Sequence, residues 1–554
     1  MLLLLGQTAA HGGSISPELA AKLEAGTDEQ LHPVIVQLAD SLDIDSLNAQ
    51  LDKMEAEHRT RRVVEELRNK AETTQKELRR RFTLREIGGR AADVTPFWIF
   101  NGFTLAADAE TIRELAARPD IAAVFASKPV VRLAATKAET AAVSTGQWNL
   151  DRIGAPDLWG QGFHGEGAVV AILDTGVDPN HPALAGKWRG GTKDWFDPYT
   201  STATPFDDDG HGTGAMGLIL GGDPATSPMG VAPAARWIGA RIFRPVRNPA
   251  TGLPESTADI PQIIASFQWA LNPDGNPATA DAPDVINCSW DLVPQTAPSD
   301  YDPVFRSIIR TLKTAGIAVV VAAGNQGAAV GGSSSSPGNY PESISVGSTG
   351  LNNGVETVSS FSSRGPTAAP AAEFTSVGLT YDPIYPMLTA PGDLVFTAVL
   401  NNGFPFVSGT SFSAPHVAGA IALLANKTQI NGTSHPALPA IKSALKNGAL
   451  DLGAAGPDND YGYGRLNLLR SGAILNLIPF QTVRGDVNGD GRVTVADALL
   501  VLKAVVDTRL LTPSIRTWGD VYSVPVAGLG QDNDITIEDA LAVLQRAVGL
   551  VQLN

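Results

Sequence analysis

The sequence predicts an α/β protein with a mainly parallel sheet and helices on both faces, flanked by a small α+β domain and a small all-α domain. Between residues 145 and 477, strand-like apolar runs alternate with helix-like segments, which is typical of a parallel sheet covered on both faces. Residues 32–133 mix short strands and helices in the order of a small α+β domain. Residues 484–554 repeat one loop-and-helix unit, which indicates a small all-α domain.

The composition excludes several classes of function. The chain has 554 residues, of which 43% are hydrophobic and 18% charged, so it can form two or more packed domains. Its 57 acidic and 41 basic residues give a formal charge of -16, which argues against nucleic acid as a partner. Cys288 is the single cysteine, so the chain can form no internal disulfide and must rely on core burial helped by bound metal.

The first twelve residues predict export. Residues 1–12 contain an apolar run followed by small residues, which resembles a partial secretory signal peptide without its basic leader. We therefore expect a secreted or cell-surface protein, with an ordinary chain terminus as the alternative reading. No later apolar run reaches the roughly 20 residues of a membrane-spanning helix, so no transmembrane segment is expected.

The elements of the N-terminal domain follow from hydrophobic periodicity. An apolar strand at residues 34–38 precedes a charged stretch at 44–82, where Leu, Met and Val recur at helical spacing and predict one or two exposed helices. Two strands and a short helix follow, and a strand at residues 121–125 closes the domain. Residues 134–144 are mostly small and lack an apolar period, which predicts a linker.

The large domain contains a candidate carboxylate and a candidate imidazole. Its strands are predicted at the apolar runs 168–173, 237–242, 285–288, 318–322 and 344–346. Asp174 ends the first strand, at the sheet edge where catalytic groups collect in open α/β folds. His211 lies between two glycines and begins a helical run, and a histidine exchanges protons near neutral pH. Taken singly, each residue could equally be a turn or capping residue.

Ser411 is the candidate nucleophile. It begins a strongly apolar helical segment, with Pro415 in the tolerated first turn. A serine becomes a nucleophile when a base removes its proton, and a helix amino end directs N–H groups at developing negative charge. Alone, Ser411 could be only a helix cap.

Asp174, His211 and Ser411 follow one another in the chain order of the subtilisin catalytic triad. Residues 145–477 accordingly resemble a subtilisin-like serine protease, a subtilase, and within that family the bacillopeptidase F group, judging from residues 230–240 and 336–341. The resemblance implies that Asn325 donates a hydrogen bond to the reaction's oxyanion, and that the side chain preceding the cut is bound by Ser289, Trp290, Ala322, Ala323 and Gly324. Trp290 and Asp291 depart from the family pattern and leave the substrate preference open.

Residues 32–133 resemble a subtilase propeptide, which implies that this domain assists folding of the protease domain and then inhibits it. Activation would cut the linker at 134–144. The alternative is an accessory domain that stays attached.

The C-terminal repeat has the spacing of a calcium loop. Oxygen side chains at loop positions 1, 3, 5, 9 and 12, a glycine at position 6 and Arg492 at position 7 match that spacing. The first loop comprises Asp486, Asn488, Asp490, Arg492, Thr494 and Asp497. The second loop is less regular and its candidates are Asp520, Asp532, Asp534 and Asp539. The repeat resembles a type I dockerin, which implies calcium as cofactor and a cohesin-like partner; an acidic surface turn is the alternative.

Together these features predict a secreted serine endopeptidase that is made as a zymogen and cleaves protein or peptide substrates. The alternative from another class is an inactive subtilase fold that serves as a calcium-dependent attachment module. An esterase is disfavoured because Ser411 lacks the Gly-x-Ser-x-Gly turn of that fold.

Overall fold

The computed structural model describes most of the chain, with gaps. The described residues are 13–27, 29–51, 54, 56–127, 129–131, 147–223, 227–247, 252, 254–292, 299–425, 436–478, 493–506 and 537–547.

The N-terminal domain is a five-stranded sheet covered by helices. Its sheet order is β1-β5-β2-β4-β3, with β1 and β5 parallel and the other neighbours antiparallel. Its elements, with one further strand β6, are β1 Ser14–Ile15, α1 Pro17–Ala25, β2 His32–Leu38, α2 Ile44–Leu51, α3 Ala56–Ile87, β3 Ala91–Phe97, β4 Gly102–Ala107, α4 Ala109–Ala116, β5 Ile121–Ala126 and β6 Pro129–Val131.

This domain begins earlier than residue 32, where the sequence predicted its start. The strand β1 pairs with β5, and Leu19 and Leu23 of α1 are buried in the domain core. A strand of two residues has no measurable period, so the sequence pattern gave no sign of it. The charged stretch forms two helices, as the sequence allowed.

The large domain contains an eight-stranded sheet of order β17-β16-β15-β14-β7-β11-β8, with β18 also paired to β16. Its pairs are parallel except β16 with β17. The strands are β7 Val169–Asp174, β8 Trp195–Phe196, β9 Gly222–Asp223, β10 Ser227–Pro228, β11 Arg236–Arg241, β12 Arg244–Arg247, β13 Pro254–Asp259, β14 Val285–Cys288, β15 Ala318–Ala322, β16 Ile344–Asn352, β17 Val355–Val358, β18 Leu388–Pro391, β19 Val395–Phe396 and β20 Phe406–Val407.

Helices cover both faces of this sheet. They are α5 Trp148–Ile153, α6 Ala155–Trp159, α7 His211–Leu220, α8 Ile260–Leu271, α9 Arg306–Thr314, α10 Ala371–Thr375, α11 Thr410–Leu424, α12 Leu438–Gly448 and α13 Leu468–Ile474, with a 3₁₀ turn at Pro303–Phe305. Strand β7 shows the two layers, because Val170 and Ile172 pack with α7 and α11 whereas Ala171 and Leu173 pack with α8 and α9. The predicted parallel-rich α/β architecture is confirmed.

Two further helices, α14 Val495–Val506 and α15 Ile537–Ala547, pack against each other near the C-terminus. Their contact is made by small and branched residues, among them Ala498, Val501 and Val543. None of the helices in the described ranges is long and apolar enough to cross a membrane.

Candidate active site

The first two candidate residues meet at the edge of the large sheet. Asp174 is the last residue of β7 and His211 is the first residue of α7. Asp174 Oδ1 lies 2.8 Å from His211 Nδ1, and both side chains are buried. Burial alone would lower the pKa of His211, but the charge and hydrogen bond of Asp174 outweigh it and raise that pKa above its usual value. The pair therefore favours a cationic imidazole.

Local backbone geometry brings α7 close to β7. An ideal Cβ on Gly212 would lie 2.0 Å from the carbonyl oxygen of Gly176, so only glycine permits this approach. Asp207 caps the helix, because its Oδ2 accepts hydrogen bonds from the Thr213 N–H at 3.0 Å and the Thr213 hydroxyl at 2.6 Å. Gly212, which follows His211, thus has a structural purpose: it lets α7 come close enough to β7 for the imidazole to reach Asp174.

Ser411 lies at the start of α11 and is 4% exposed. The ring of the next residue, Phe412, packs against the His211 ring with centroids 5.2 Å apart. His211 Nε2 is buried and has no hydrogen-bond partner among the described residues. Nε2, the ring nitrogen that faces away from Asp174, is therefore available to accept a hydrogen bond. It lies beside the first turn of α11, the helix that carries Ser411.

Asn325 is oriented by Thr410. Asn325 Oδ1 accepts hydrogen bonds from the Thr410 N–H and the Thr410 hydroxyl, each at 2.9 Å. Because the oxygen is used in this way, Nδ2 points to the other side. An ideal Cβ on Gly409 would lie 3.0 Å from Ser411 Oγ and 3.7 Å from Asn325 Nδ2. The serine hydroxyl and the amide nitrogen thus border the same small space.

The residues expected to bind the substrate side chain divide into two groups. Ser289 Oγ donates to the Ser411 carbonyl oxygen at 2.6 Å, so it supports the start of α11. Ala322 ends β15, and Ala323 and Gly324 continue from it to Asn325. These residues form the buried backbone that leads to the candidate oxyanion donor.

Trp290 requires a correction to the expectation of a substrate-binding side chain. Its indole is 2% exposed and packs against Phe267 and Phe305. Its Nε1–H donates to the Leu173 carbonyl oxygen at 2.9 Å. The indole therefore belongs to the core layer of α8 and α9. Successive residues of an extended segment point to opposite faces, so Trp290 points away from its neighbour Ser289, which contacts α11.

The sequence did not single out Thr410, the residue that orients Asn325. The signal available was its place directly before Ser411, where a helix start commonly carries a hydroxyl residue. His416, by contrast, is a packed helix residue: its Nδ1 contacts the Phe412 carbonyl oxygen at 2.9 Å, and burial lowers its pKa to about 4.

The calcium prediction falls mostly outside the described residues. There lie Asp486, Asn488, Asp490, Arg492, Asp520, Asp532 and Asp534, together with the side chain of Asp539. Asp497 is fully buried, and its Oδ2 accepts from the Thr494 N–H at 2.8 Å and from the Thr494 hydroxyl at 3.0 Å. In the described part of the chain, no three His, Cys, Asp or Glu side chains converge as a metal site. Calcium therefore stays a prediction.

Comparison with known proteins identifies the family of this chain. The model of the subtilase family matches residues 165–464, and the chain therefore belongs to the subtilase family. Its matching relatives support the class of a serine-type endopeptidase.

Three similar proteins illustrate the match. Bacillopeptidase F of Bacillus subtilis (strain 168) is 30% identical over 434 residues, which cover 73% of this chain and 28% of that protein. Alkaline elastase YaB of Bacillus sp. (strain YaB) is 29% identical over 59% of this chain and 70% of its own length. Minor extracellular protease Epr of Bacillus subtilis (strain 168) is 25% identical over 65% of this chain and 47% of its own length. The chain thus spans less than a third of Bacillopeptidase F.

Proposed function

We propose that the chain is a serine endopeptidase in which Ser411 is the nucleophile, His211 the base and Asp174 the residue that orients the base. The observation that carries the proposal is the buried Asp174–His211 hydrogen bond of 2.8 Å beside the helix start that holds Ser411. A carboxylate on Nδ1 fixes the tautomer that leaves Nε2 free to accept a proton.

The chemistry follows from these positions. Ser411 Oγ attacks the peptide carbonyl as His211 Nε2 takes its proton, and Asp174 offsets the charge of the imidazolium. Asn325 Nδ2 and the N–H of Ser411 donate to the oxyanion of the tetrahedral intermediate. His211 then protonates the leaving amine, and water releases the acyl group from Ser411 by the same steps in reverse.

The test compares two serines of the same helix. Ser411→Ala should abolish peptide hydrolysis and labelling by a serine-directed phosphonate. Ser413→Ala is the matched control, because Ser413 Oγ has no hydrogen-bond partner among the described residues and its loss should leave both intact. Labelling of the Ser411→Ala chain would refute the assignment. A chain that is neither labelled nor cut in residues 134–144 would favour the inactive attachment module instead.

The N-terminal domain is proposed as an inhibitory propeptide, and its contacts with the large domain support this. Val63, Val64 and Leu67 of α3 pack in the core layer of α8 and α9. The Trp98 N–H donates to Gln268 Oε1 of α8 at 2.9 Å. The strand β6 adds to β13, the strand that leads directly into α8.

A propeptide of this kind should be removed by the enzyme itself. The unaltered chain should separate into an N-terminal fragment and a larger one, with the cut in the linker at residues 134–144, whereas Ser411→Ala should stay intact. Mass spectrometry of both preparations measures this. A stably attached accessory domain would leave both chains uncut.

Secretion and calcium-dependent attachment complete the proposal. The name of Minor extracellular protease Epr supports an extracellular location by analogy.

At the C-terminus, α14 and α15 expose apolar side chains at helical spacing, which suit a cohesin-like partner. These are Val495, Leu499, Leu502, Ile537, Leu541 and Leu544. Pull-down of the full chain by a cohesin domain, with and without a calcium chelator, tests this attachment.

A further inference from the structure

A buried carboxyl group lies next to the candidate active site and has no role in the proposed mechanism. Asp291 comes two residues after Ser289, whose hydroxyl contacts the Ser411 carbonyl oxygen. An ideal Cβ on Gly324 would lie 3.0 Å from Asp291 Oδ2. The carboxyl group therefore borders the backbone that leads to Asn325, one residue from the candidate oxyanion donor.

The neighbours of Asp291 are neutral. Its Oδ2 accepts hydrogen bonds from the Ser335 hydroxyl at 2.7 Å and from Gln326 Nε2 at 3.2 Å. The titratable group that faces it is the phenol of Tyr385, whose pKa is raised by burial, so it stays uncharged. In the described part of the chain, no lysine, arginine or histidine pairs with Asp291. Residues 292–300 contain no such residue either.

A carboxyl group in this setting is costly for the protein alone. Asp291 is only 8% exposed, and burial raises its pKa despite the two hydrogen bonds that lower it. Buried carboxylates in proteins are usually paired with a cation. The missing partner is therefore expected from outside the chain. Gly324, which adjoins Asp291, immediately precedes Asn325, whose amide nitrogen borders the same small space as Ser411 Oγ.

We propose that Asp291 binds the positively charged side chain of a lysine or arginine that immediately precedes the scissile bond. The proposal rests on the proposed peptidase function, because that function places the substrate carbonyl between Ser411 Oγ and Asn325 Nδ2. The side chain attached next to that carbonyl would pass along Ala323 and Gly324 towards Asp291. Ser335 and Gln326 both donate to Oδ2 and hold the carboxylate in position for a long basic side chain.

The first test compares four peptides that differ only in the residue before the cut: arginine, lysine, citrulline and leucine. Citrulline has nearly the shape of arginine without the charge. We expect kcat/KM to be at least about 30-fold higher for arginine than for citrulline, and Asp291→Asn to remove this difference by lowering the value for arginine. The matched control is Asp382→Asn, because Asp382 is a carboxylate that already pairs with Lys446. This variant should keep the preference for arginine over citrulline.

The second test is the pH dependence of the arginine-to-citrulline ratio of kcat/KM. Protonation of His211 affects both substrates equally and cancels in the ratio. The ratio should fall as the pH drops through the pKa of Asp291, because the charged form binds the cation. This measurement needs only the unaltered enzyme, so it tests the role of Asp291 even if Asp291→Asn does not fold. A fluorophosphonate counts active Ser411 in every preparation.

Each outcome is informative. Equal cleavage after arginine and citrulline, with normal labelling of Ser411, overturns the role of Asp291 and leaves the peptidase function standing. A preference that survives in labelled Asp291→Asn also overturns it. A chain that shows neither labelling nor a cut in residues 134–144 overturns the peptidase function, and the role of Asp291 with it.

Discussion

The hydrogen bonds around Asn325 lead to a quantitative prediction about Thr410. Replacing Asn325 with alanine removes an oxyanion donor, and we expect kcat to fall about 100- to 1000-fold, the range known for loss of this donor in the same family. Thr410→Val removes one of the two hydrogen bonds, each of 2.9 Å, that orient the Asn325 amide, and the backbone N–H keeps the other. The loss of one such bond corresponds to about 1 kcal/mol, or roughly fivefold in kcat.

The two substitutions should not be additive. Thr410 acts on the reaction through Asn325, so Thr410→Val should have no further effect on kcat once Asn325 is alanine. Thr410→Ser keeps the hydroxyl and should retain nearly full kcat. The Gly324 N–H, which donates to the Thr410 hydroxyl at 3.2 Å, loses its acceptor in the valine variant, so thermal stability should fall as well.

The assay measures kcat and KM with a chromogenic peptide, with active enzyme counted by phosphonate titration so that misfolded protein does not enter kcat. Ser413→Ala serves as the background variant of the same helix. The reasoning would be refuted if Thr410→Val lowered kcat by the same factor in the presence and absence of Asn325. A rise in KM at constant kcat would likewise assign Thr410 to substrate binding.

Three further predictions concern protons and metal. Asp174→Asn should lower kcat by about 10⁴-fold and shift the acidic limb of kcat/KM to lower pH, because Asp174 raises the pKa of His211; an unshifted limb would exclude that role. Burial lowers the pKa of His416 from 6.5 to about 4. Because the folded protein binds this proton less readily than the unfolded chain, the free energy of unfolding falls as the pH drops from 6.5 to 4, by about 3 kcal/mol over the whole window. Denaturant unfolding at pH 7 and pH 4.5 should therefore show a smaller acid loss in His416→Gln than in the unaltered chain. A calcium chelator should weaken hydrogen-exchange protection of residues 493–506 but not of α11, and Asp497→Asn should copy this effect without chelator; equal protection in all samples would contradict the calcium loop.

The central sheet could be predicted because its strands are buried on both faces. Continuous apolar runs such as Ala318–Ala322 have no polar residue to blur their limits, and β14 and β15 have the predicted bounds. The catalytic candidates could be ordered along the chain because each stands at the end of a strand or the start of a helix. These places follow from local sequence alone.

The direction of side chains beyond the strand ends could not be predicted. Trp290 and Asp291 are neighbours after a wholly buried strand, where no alternation of polar and apolar residues marks the two faces. The structure places the indole in the core and the carboxyl group beside Gly324. The family resemblance implied that Trp290 is one of five substrate-binding residues, whereas tertiary packing against Phe267 and Phe305 decides the position of its indole.

The complete burial of α11, from Thr410 to Leu424, affects how this enzyme should lose activity. A helix enclosed along its whole length cannot fray at one end without exposing apolar surface, so its amino-terminal turn opens only when the surrounding domain opens. Heat inactivation and global unfolding should therefore occur at the same temperature. Surface substitutions that stabilise the large domain far from α11 should then slow the heat inactivation of Ser411, although they make no contact with it.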